Sequence, residues 1–234
     1  MLAVLLEAPL ELVPMYAVLA VLHQKSSGAM LGTCVVTCYQ VAGALRHLGF
    51  TAAPVAATAT VYRVVSISGR QPVAWARDIG TTEEPPTVTA EGATDGHMVV
   101  HAPSFGRIID PTIVQDPSIL AAAYRDPRYS IPAIVAVPAV PADPAALTSI
   151  EPAYAYDENL HVTWTLRPDW THLLDGVLDF PDSEEAARRG STGLAHDTLD
   201  LIRELDADRD LHALIGLYPH LGPLLDGRAQ LPAI

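Results

Sequence analysis

The spacing of apolar residues between positions 34 and 49 predicts a short helix with one buried face. Thr33 is a good N-cap, and Gly49 can take the left-handed conformation that often ends a helix. An earlier apolar run predicts a second buried helix from about Pro14 to Gln24, because proline is tolerated in a first helical turn. In the helix predicted over residues 34–49, the apolar positions follow the helical spacing of three or four residues: Cys34, Cys38, Val41, Ala42, Leu45 and Leu48.

Alternating residues predict the strands of an antiparallel sheet. Residues 57–65 are rich in β-branched side chains, and over residues 160–166 every second residue is apolar, which gives a strand one buried face. Residues 80–95 contain two adjacent prolines after two glutamates and predict a loop. The predicted strands cover residues 57–65, 98–101, 107–109, 133–137 and 160–166.

The composition of the chain changes after residue 130, where prolines become frequent. Prolines at 132, 138, 141, 144 and 152 exclude a long helix from this stretch. Two apolar stripes of helical spacing follow, separated by residues 206–208, and Gly222-Pro223 is expected to end them. We therefore divide the chain into a core over 1–130, a proline-rich connector over 131–152 with room for one strand, and 153–234, a strand plus helices packed on the core. The expected fold class is α+β, with the helix that begins at Cys34 packed on an antiparallel sheet and further helices at the C-terminus.

Composition and charge narrow the possible partners. Of the 234 residues, 50% are hydrophobic and 18% are charged, which suits a globular protein with one good core. The formal net charge of −13, with only 14 Lys and Arg, argues against a nucleic-acid partner, because phosphate binding needs clustered cations. The apolar first 22 residues have no basic leading region and are interrupted by Glu7, Pro9, Glu11 and Pro14, so we expect neither a signal peptide nor a membrane anchor.

The two cysteines suggest a thiol nucleophile. They lie four residues apart and cannot form a disulfide framework, so we expect reduced thiols and a cytoplasmic protein. The free N–H groups and the dipole at a helix start favour the thiolate, which is the form that attacks an acyl carbon, and Cys34 occupies such a start. Cys38 lies one turn inside the helix and is expected to be a small buried side chain. Gln24 is the upstream candidate for an oxyanion donor besides the Cys34 amide.

A histidine and a carboxylate complete the candidate site. If residues 98–109 form a hairpin centred between Pro103 and Ser104, His97 and Asp110 lie directly opposite each other, with Cβ atoms about 4.5 to 5.5 Å apart. A bulge at Gly106 would shift this register by one residue. In the direct register Asp110 can orient the His97 ring, and His97 can act as general base and acid.

Four motifs follow one another in a fixed order over about residues 30–115. They are Gly32-Thr33-Cys34 at a helix start, residues 45–54 (Leu-Arg-His-Leu-Gly-Phe-Thr-Ala-Ala-Pro), Gly96-His97, and Ile109-Asp110-Pro111-Thr112. In this order they resemble the transglutaminase-like branch of the papain-like cysteine enzymes. The resemblance implies a papain-like core with Cys34 as nucleophile, His97 as general base and acid, and Asp110 as the orienting carboxylate.

The chain also departs from that family in two places. Val35, Val36 and Thr37 stand where an acidic or aromatic pair often follows the cysteine, which leaves the substrate open. Met98 and Val99 stand where the histidine is often followed by Ala-Trp, so an aromatic wall of the usual cleft is missing.

The residues thus predict a cysteine hydrolase or acyltransferase that needs no cofactor. Cys34 would attack a peptide, amide or acyl-thioester carbonyl, and the thioacyl intermediate would pass to water or to an amine. One alternative is a catalytically silent binding module on the same fold. The other is a zinc site on Cys34 and Cys38 with His97 and His101, but strand spacing would hold the two histidines about 13 Å apart, too far for one ion. We therefore expect no metal at this site.

Overall fold

The computed structural model describes residues 2–25, 34–65, 73–123, 133–136, 143–205 and 210–234. The expected N-cap Thr33 and the separator at 206–208 lie outside the described residues. The helices are α1 (Leu2–Glu7), α2 (Val13–Lys25), α3 (Cys34–His47), α4 (Pro117–Ala123), α5 (Thr171–Leu174), α6 (Pro181–Glu204), α7 (Leu211–Leu217) and α8 (Leu221–Leu225). The strands are β1 (Ala53–Val65), β2 (Val73–Ile79), β3 (His97–Ala102), β4 (Arg107–Asp110), β5 (Ala133–Ala136), β6 (Ala153–Ala155) and β7 (Leu160–Leu166). This mixture of helices and antiparallel strands confirms the predicted α+β class.

One long strand, β1, organises the sheet. The strand order is β5-β4-β3-β1-β7-β6, and every pairing is antiparallel. The first half of β1 pairs with β3, and its second half pairs with β2. Because β7 occupies the other edge of β1, β2 and β3 meet end to end along one edge. The end of β2 at Ile79 and the start of β3 at His97 are therefore neighbours.

The centre of the sheet is buried on both faces. On one face, Ala56, Met98 and Val100 join the apolar side chains of α2, α3 and α6 in one hydrophobic cluster. On the other face, Val99 and Trp164 belong to a second cluster with residues of β1, β4 and β7. Every residue of β3 is buried, as expected for a strand covered on both sides. A side chain of β3 is thus held in place by one of two packed layers.

Most predicted elements are confirmed, and the differences have physical causes. The structure contains the helix from Cys34 and the buried helix before it, and β7 has the predicted alternation of burial. β2 was not predicted, because most of its residues are exposed and its order comes from backbone pairing with β1. The prediction that Gly222-Pro223 ends the helical tail is wrong. Both residues lie in the first turn of α8, where the N–H that proline lacks has no helical partner.

The C-terminal third of the chain contributes to the same sheet and core. β7 pairs along β1 from Ala57 to Arg63, and β6 pairs with β7. α6 packs on α2 and α3, and Tyr218 donates a hydrogen bond to the carbonyl of Glu11 at 2.8 Å. Within the described ranges, no helix combines the length and the apolar character that crossing a bilayer demands.

The register of the β3–β4 hairpin differs from the predicted one. Val100 pairs with Ile109, so Asp110 lies opposite Val99 and not opposite His97. The loop causes this shift: residues 103–105 form a 3-10 turn, and Gly106 follows with a φ of 59°, so the turn holds four residues. An offset of two residues keeps both side chains on the same face, because side chains alternate along a strand. His97 and Asp110 are therefore diagonal neighbours, which long side chains can bridge.

His101 gives a prediction about stability. Its ring is fully buried, and neither ring nitrogen has a hydrogen-bond partner among the described residues. Burial lowers the pKa of His101 below its usual 6.5. We expect His101→Leu to raise the free energy of unfolding by about 1–3 kcal/mol, because the buried unpaired imidazole is removed.

The pH dependence provides the check. The unfolded chain binds a proton at His101 below about pH 6.5 and the folded chain does not, so stability is lost as pH falls. The advantage of His101→Leu should therefore grow between pH 7 and pH 5 in denaturant titrations. His196→Leu, at an exposed position of α6, is the matched control. A loss of stability in His101→Leu at both pH values would contradict this account.

Candidate active site

Cys34 is the first residue of α3, and its side chain is partly exposed. The thiol points towards the carbonyl of Gly96, with Sγ 3.7 Å from the oxygen. The first N–H groups of a helix have no partner within the helix, and their dipoles favour a negative charge beside them. The position predicted for the nucleophile is thus partly accessible and lies at a helix start.

His97 links this thiol to the sheet. It opens β3 directly after Gly96, and its ring is 3% exposed. Its Nε2 lies 2.7 Å from Oδ2 of Asp110, and the nearby Cys34 thiol contributes to raising the pKa of the ring. The structure therefore brings the predicted cysteine, histidine and aspartate together from α3, β3 and β4.

Asp110 is held by more than His97. The carboxylate is 1% exposed, and its Oδ2 accepts a second hydrogen bond from Nε1 of Trp164 at 2.8 Å. Its Oδ1 accepts from the backbone N–H of Thr112 at 3.1 Å, from the Thr112 hydroxyl at 3.3 Å and from the Ile113 N–H at 2.9 Å. A buried carboxylate is costly unless it is paired and hydrogen-bonded, and these donors meet that condition.

The electrostatics of the pair favour a charged histidine. Burial alone lowers the pKa of His97, but the adjacent carboxylate of Asp110 outweighs it, and the pKa rises to about 10. Burial likewise raises the pKa of Asp110, and the charge of His97 with the hydrogen bonds from His97, Trp164 and Thr112 outweighs that effect and lowers it. At neutral pH the pair is an imidazolium beside a carboxylate. The imidazolium in turn lies beside the Cys34 thiol.

Two residues of the site were missed by sequence reasoning. Trp164 was assigned only to the buried face of β7, although a buried indole N–H usually needs an acceptor, and that signal was available. Gly80 follows β2 with a φ of 86°, and a Cβ there would lie 2.9 Å from the Cβ of His97. Only glycine allows the chain to leave β2 so close to the histidine.

A cleft of about 310 Å³ opens over the side chains of Cys34 and His97. It lies between the end of β2, the loop that precedes β3 and the segment after β4. Cys34 and His97 line it, together with Arg77, Gly80, Thr112 and Asp116. A small acyl group or a peptide segment can therefore reach the thiol from solvent.

Gln24 lies apart from this cleft. It sits on the last turn of α2 with an exposed side chain, and it does not line the cleft. The Cys34 amide, at the start of α3, is the remaining oxyanion donor of the two that the sequence suggested.

Cys38, unlike Cys34, is a fully buried thiol. Its side chain is fully buried, its thiol donates to the carbonyl of Met98 at 3.2 Å, and burial raises its pKa well above the usual value. It is a packed core thiol, as the sequence predicted. Among the described residues, no three His, Cys, Asp or Glu side chains lie close enough together to hold a metal ion.

Comparison with known proteins identifies no relative. The chain matches no family model, no curated protein and no solved structure. A thiol at a helix start, an imidazolium beside it and a buried carboxylate behind the ring can generate a thiolate and return a proton to a leaving group.

Asp110→Asn tests the electrostatics of this arrangement. The amide keeps the shape of the side chain but removes the charge, so we expect the pKa of His97 to fall well below its value of about 10. Titration of the His97 ring by NMR measures this shift. Asp95→Asn removes a carboxylate from the same cleft and should leave the pKa of His97 near its wild-type value. An unchanged His97 titration in Asp110→Asn would show that Asp110 does not hold the proton on the ring.

Proposed function

We propose that this protein is a thiol-dependent acyl-transfer enzyme with Cys34 as its nucleophile. The observation that carries the proposal is the short contact between His97 and the buried Asp110 behind a partly exposed thiol that lines a cleft. Trp164 and the backbone after β4 hold the carboxylate in place, so the ring is oriented before any substrate binds. Such preorganisation is a general requirement of nucleophilic catalysis.

The reaction begins from the state in which His97 already holds the proton of the Cys34 thiol, which the raised pKa of the ring favours. Sγ attacks the carbonyl carbon of a peptide, amide or thioester, and the carbonyl oxygen becomes an oxyanion that the Cys34 N–H can bind. When the C–N or C–S bond breaks, His97 gives its proton to the leaving amine or thiol. The acyl group is then a thioester on Cys34.

The second half of the reaction releases the acyl group. Water or an amine attacks the thioester carbonyl, and His97 takes a proton from the attacking group. The bond to Sγ breaks, the thiolate leaves, and the product is a carboxylic acid or an amide. We favour amide hydrolysis, because no second-substrate site is recognisable in the sequence.

The proposal includes a transglutaminase-like arrangement of the core. A helix that begins with the nucleophile packs on an antiparallel sheet, the histidine starts one strand, and the aspartate ends the next strand. This order supports the relationship that the motifs suggested. Both cysteines are free, which suits a reducing compartment, and we propose the cytoplasm.

Alkylation by iodoacetamide tests the identity of the nucleophile. We expect Cys34 to react faster than Cys38 by at least about 100-fold, because Cys38 is buried and its thiolate is disfavoured. The rates are measured by peptide mass spectrometry after timed quenching. His97→Ala should slow the reaction of Cys34 and leave that of Cys38 unchanged.

Hydrolysis of peptide and thioester substrates provides the matched comparison. Cys34→Ala should abolish turnover, and Cys38→Ala should retain it provided that thermal unfolding shows a folded protein. Preferential alkylation of Cys38, or a Cys34 rate that does not depend on His97, would refute the proposal and favour a catalytically silent module.

A further inference from the structure

Arg77 lies in the same cleft as the nucleophile, and the proposed chemistry does not use it. It is on β2, its side chain is about half exposed, and it is the only Lys or Arg among the described residues that line the cleft. Within the described ranges its guanidinium has no hydrogen-bond acceptor. The nearest carboxylate oxygen is Oδ2 of Asp116 at 3.6 Å, an ion-pair distance that is too long for a hydrogen bond.

Asp116 holds this guanidinium from the protein side. Its side chain is wholly buried, and its Oδ1 accepts from the N–H groups of Ser118 at 2.8 Å and Ile119 at 3.4 Å. Its Oδ2 has no hydrogen-bond partner in the described part of the chain. A buried carboxylate oxygen of this kind needs a nearby cation, so Asp116 attracts Arg77 to the cleft and occupies none of its N–H donors.

The other charged groups of the cleft are already engaged. His97 and Asp110 bind each other. Asp95 accepts hydrogen bonds from the backbone N–H of Thr87 at 2.7 Å and from its hydroxyl at 3.3 Å. The carboxylate of Asp116 is out of reach of solvent. Arg77 is therefore the charged side chain of the cleft with a full set of free donors.

We propose that Arg77 is a specificity-determining residue that binds a free carboxylate on the acyl substrate. The inference rests on the proposed function, because the acyl group must reach Cys34 in the same cleft. A guanidinium binds a carboxylate through two parallel N–H···O bonds, which fixes orientation as well as charge. The chain carries a net charge of −13, which disfavours anions in general, so selection of an anionic acyl group depends on this local cation. The substrate class is thus an amide or thioester whose acyl part ends in a carboxylate.

Protection of Cys34 from iodoacetamide tests the binding step without turnover. We expect glutarate to slow alkylation of wild-type Cys34, and its neutral analogue glutaramide to do so much less. Arg77→Gln should weaken protection by glutarate about 10- to 100-fold. Protection in Arg77→Lys should lie between that of wild type and that of Arg77→Gln, because lysine keeps the charge but cannot form the two parallel N–H···O bonds. Arg63→Gln removes the same charge from β1, away from the cleft, and should behave as wild type.

A matched pair of thioesters tests the same preference in catalysis. The glutaryl thioester and its neutral terminal amide differ only at the far end of the acyl group, and wild-type kcat/KM should favour the glutaryl compound about 10- to 100-fold. Arg77→Gln should lose that preference. Equal rates for both compounds in wild type, or a preference for an ammonium-terminated analogue that Asp95→Asn removes, would overturn the inference.

The two proposals fail in different ways. If Cys34 is alkylated selectively and glutarate gives no protection, the role of Arg77 is wrong and the nucleophile stands. If Cys34 is no more reactive than Cys38, the proposed function is wrong, and so is the inference that depends on it. Thermal unfolding of Arg77→Gln and Arg77→Lys separates a loss of binding from a loss of fold.

Discussion

The structure depends on one buried carboxylate, that of Asp110. A charge removed from water is unfavourable unless donors replace the lost hydration, and here His97, Trp164, Thr112 and Ile113 supply them. Those donors come from β3, β7 and the turn after β4, so a single side chain ties three parts of the fold together. The same charge sets the protonation of His97. The stability of the sheet and the chemistry of the site thus rest on one group.

The sheet also explains why a cleft opens at this point. β2 and β3 share one edge of β1 and meet end to end, which leaves a gap in the strand pairing between Ile79 and His97. Gly80 lets the chain turn away from β2 without a Cβ that would clash with His97. α3 packs on β3 and brings the N–H groups of its first turn to this gap, and Arg77 reaches it from β2. The proposed catalytic and recognition groups therefore meet where the strand pairing changes.

Local patterns in the sequence predicted much of this arrangement, and contacts between distant segments decided the rest. Helical spacing from Cys34 and alternation over residues 160–166 were sufficient for α3 and β7, because each buries one face. The hairpin register was wrong, because the four-residue turn that ends at Gly106 sets it and periodicity does not. His97 and Asp110 still meet, since an offset of two residues preserves the face. The exposed strand β2 is ordered by its pairing with β1, and the indole of Trp164 joins the site through its hydrogen bond to Asp110. Neither contact can be read from the local sequence pattern.

The central claim is that Cys34 carries the acyl group during the reaction. Rapid-quench intact-mass analysis, with panels of peptides and acyl thioesters, measures this directly. The account predicts a transient mass increase equal to the acyl group, located on Cys34 by peptide mapping, absent in Cys34→Ala and retained in Cys38→Ala. An adduct that persists in Cys34→Ala but not in Cys38→Ala, or turnover with no acyl adduct on any cysteine, would contradict it.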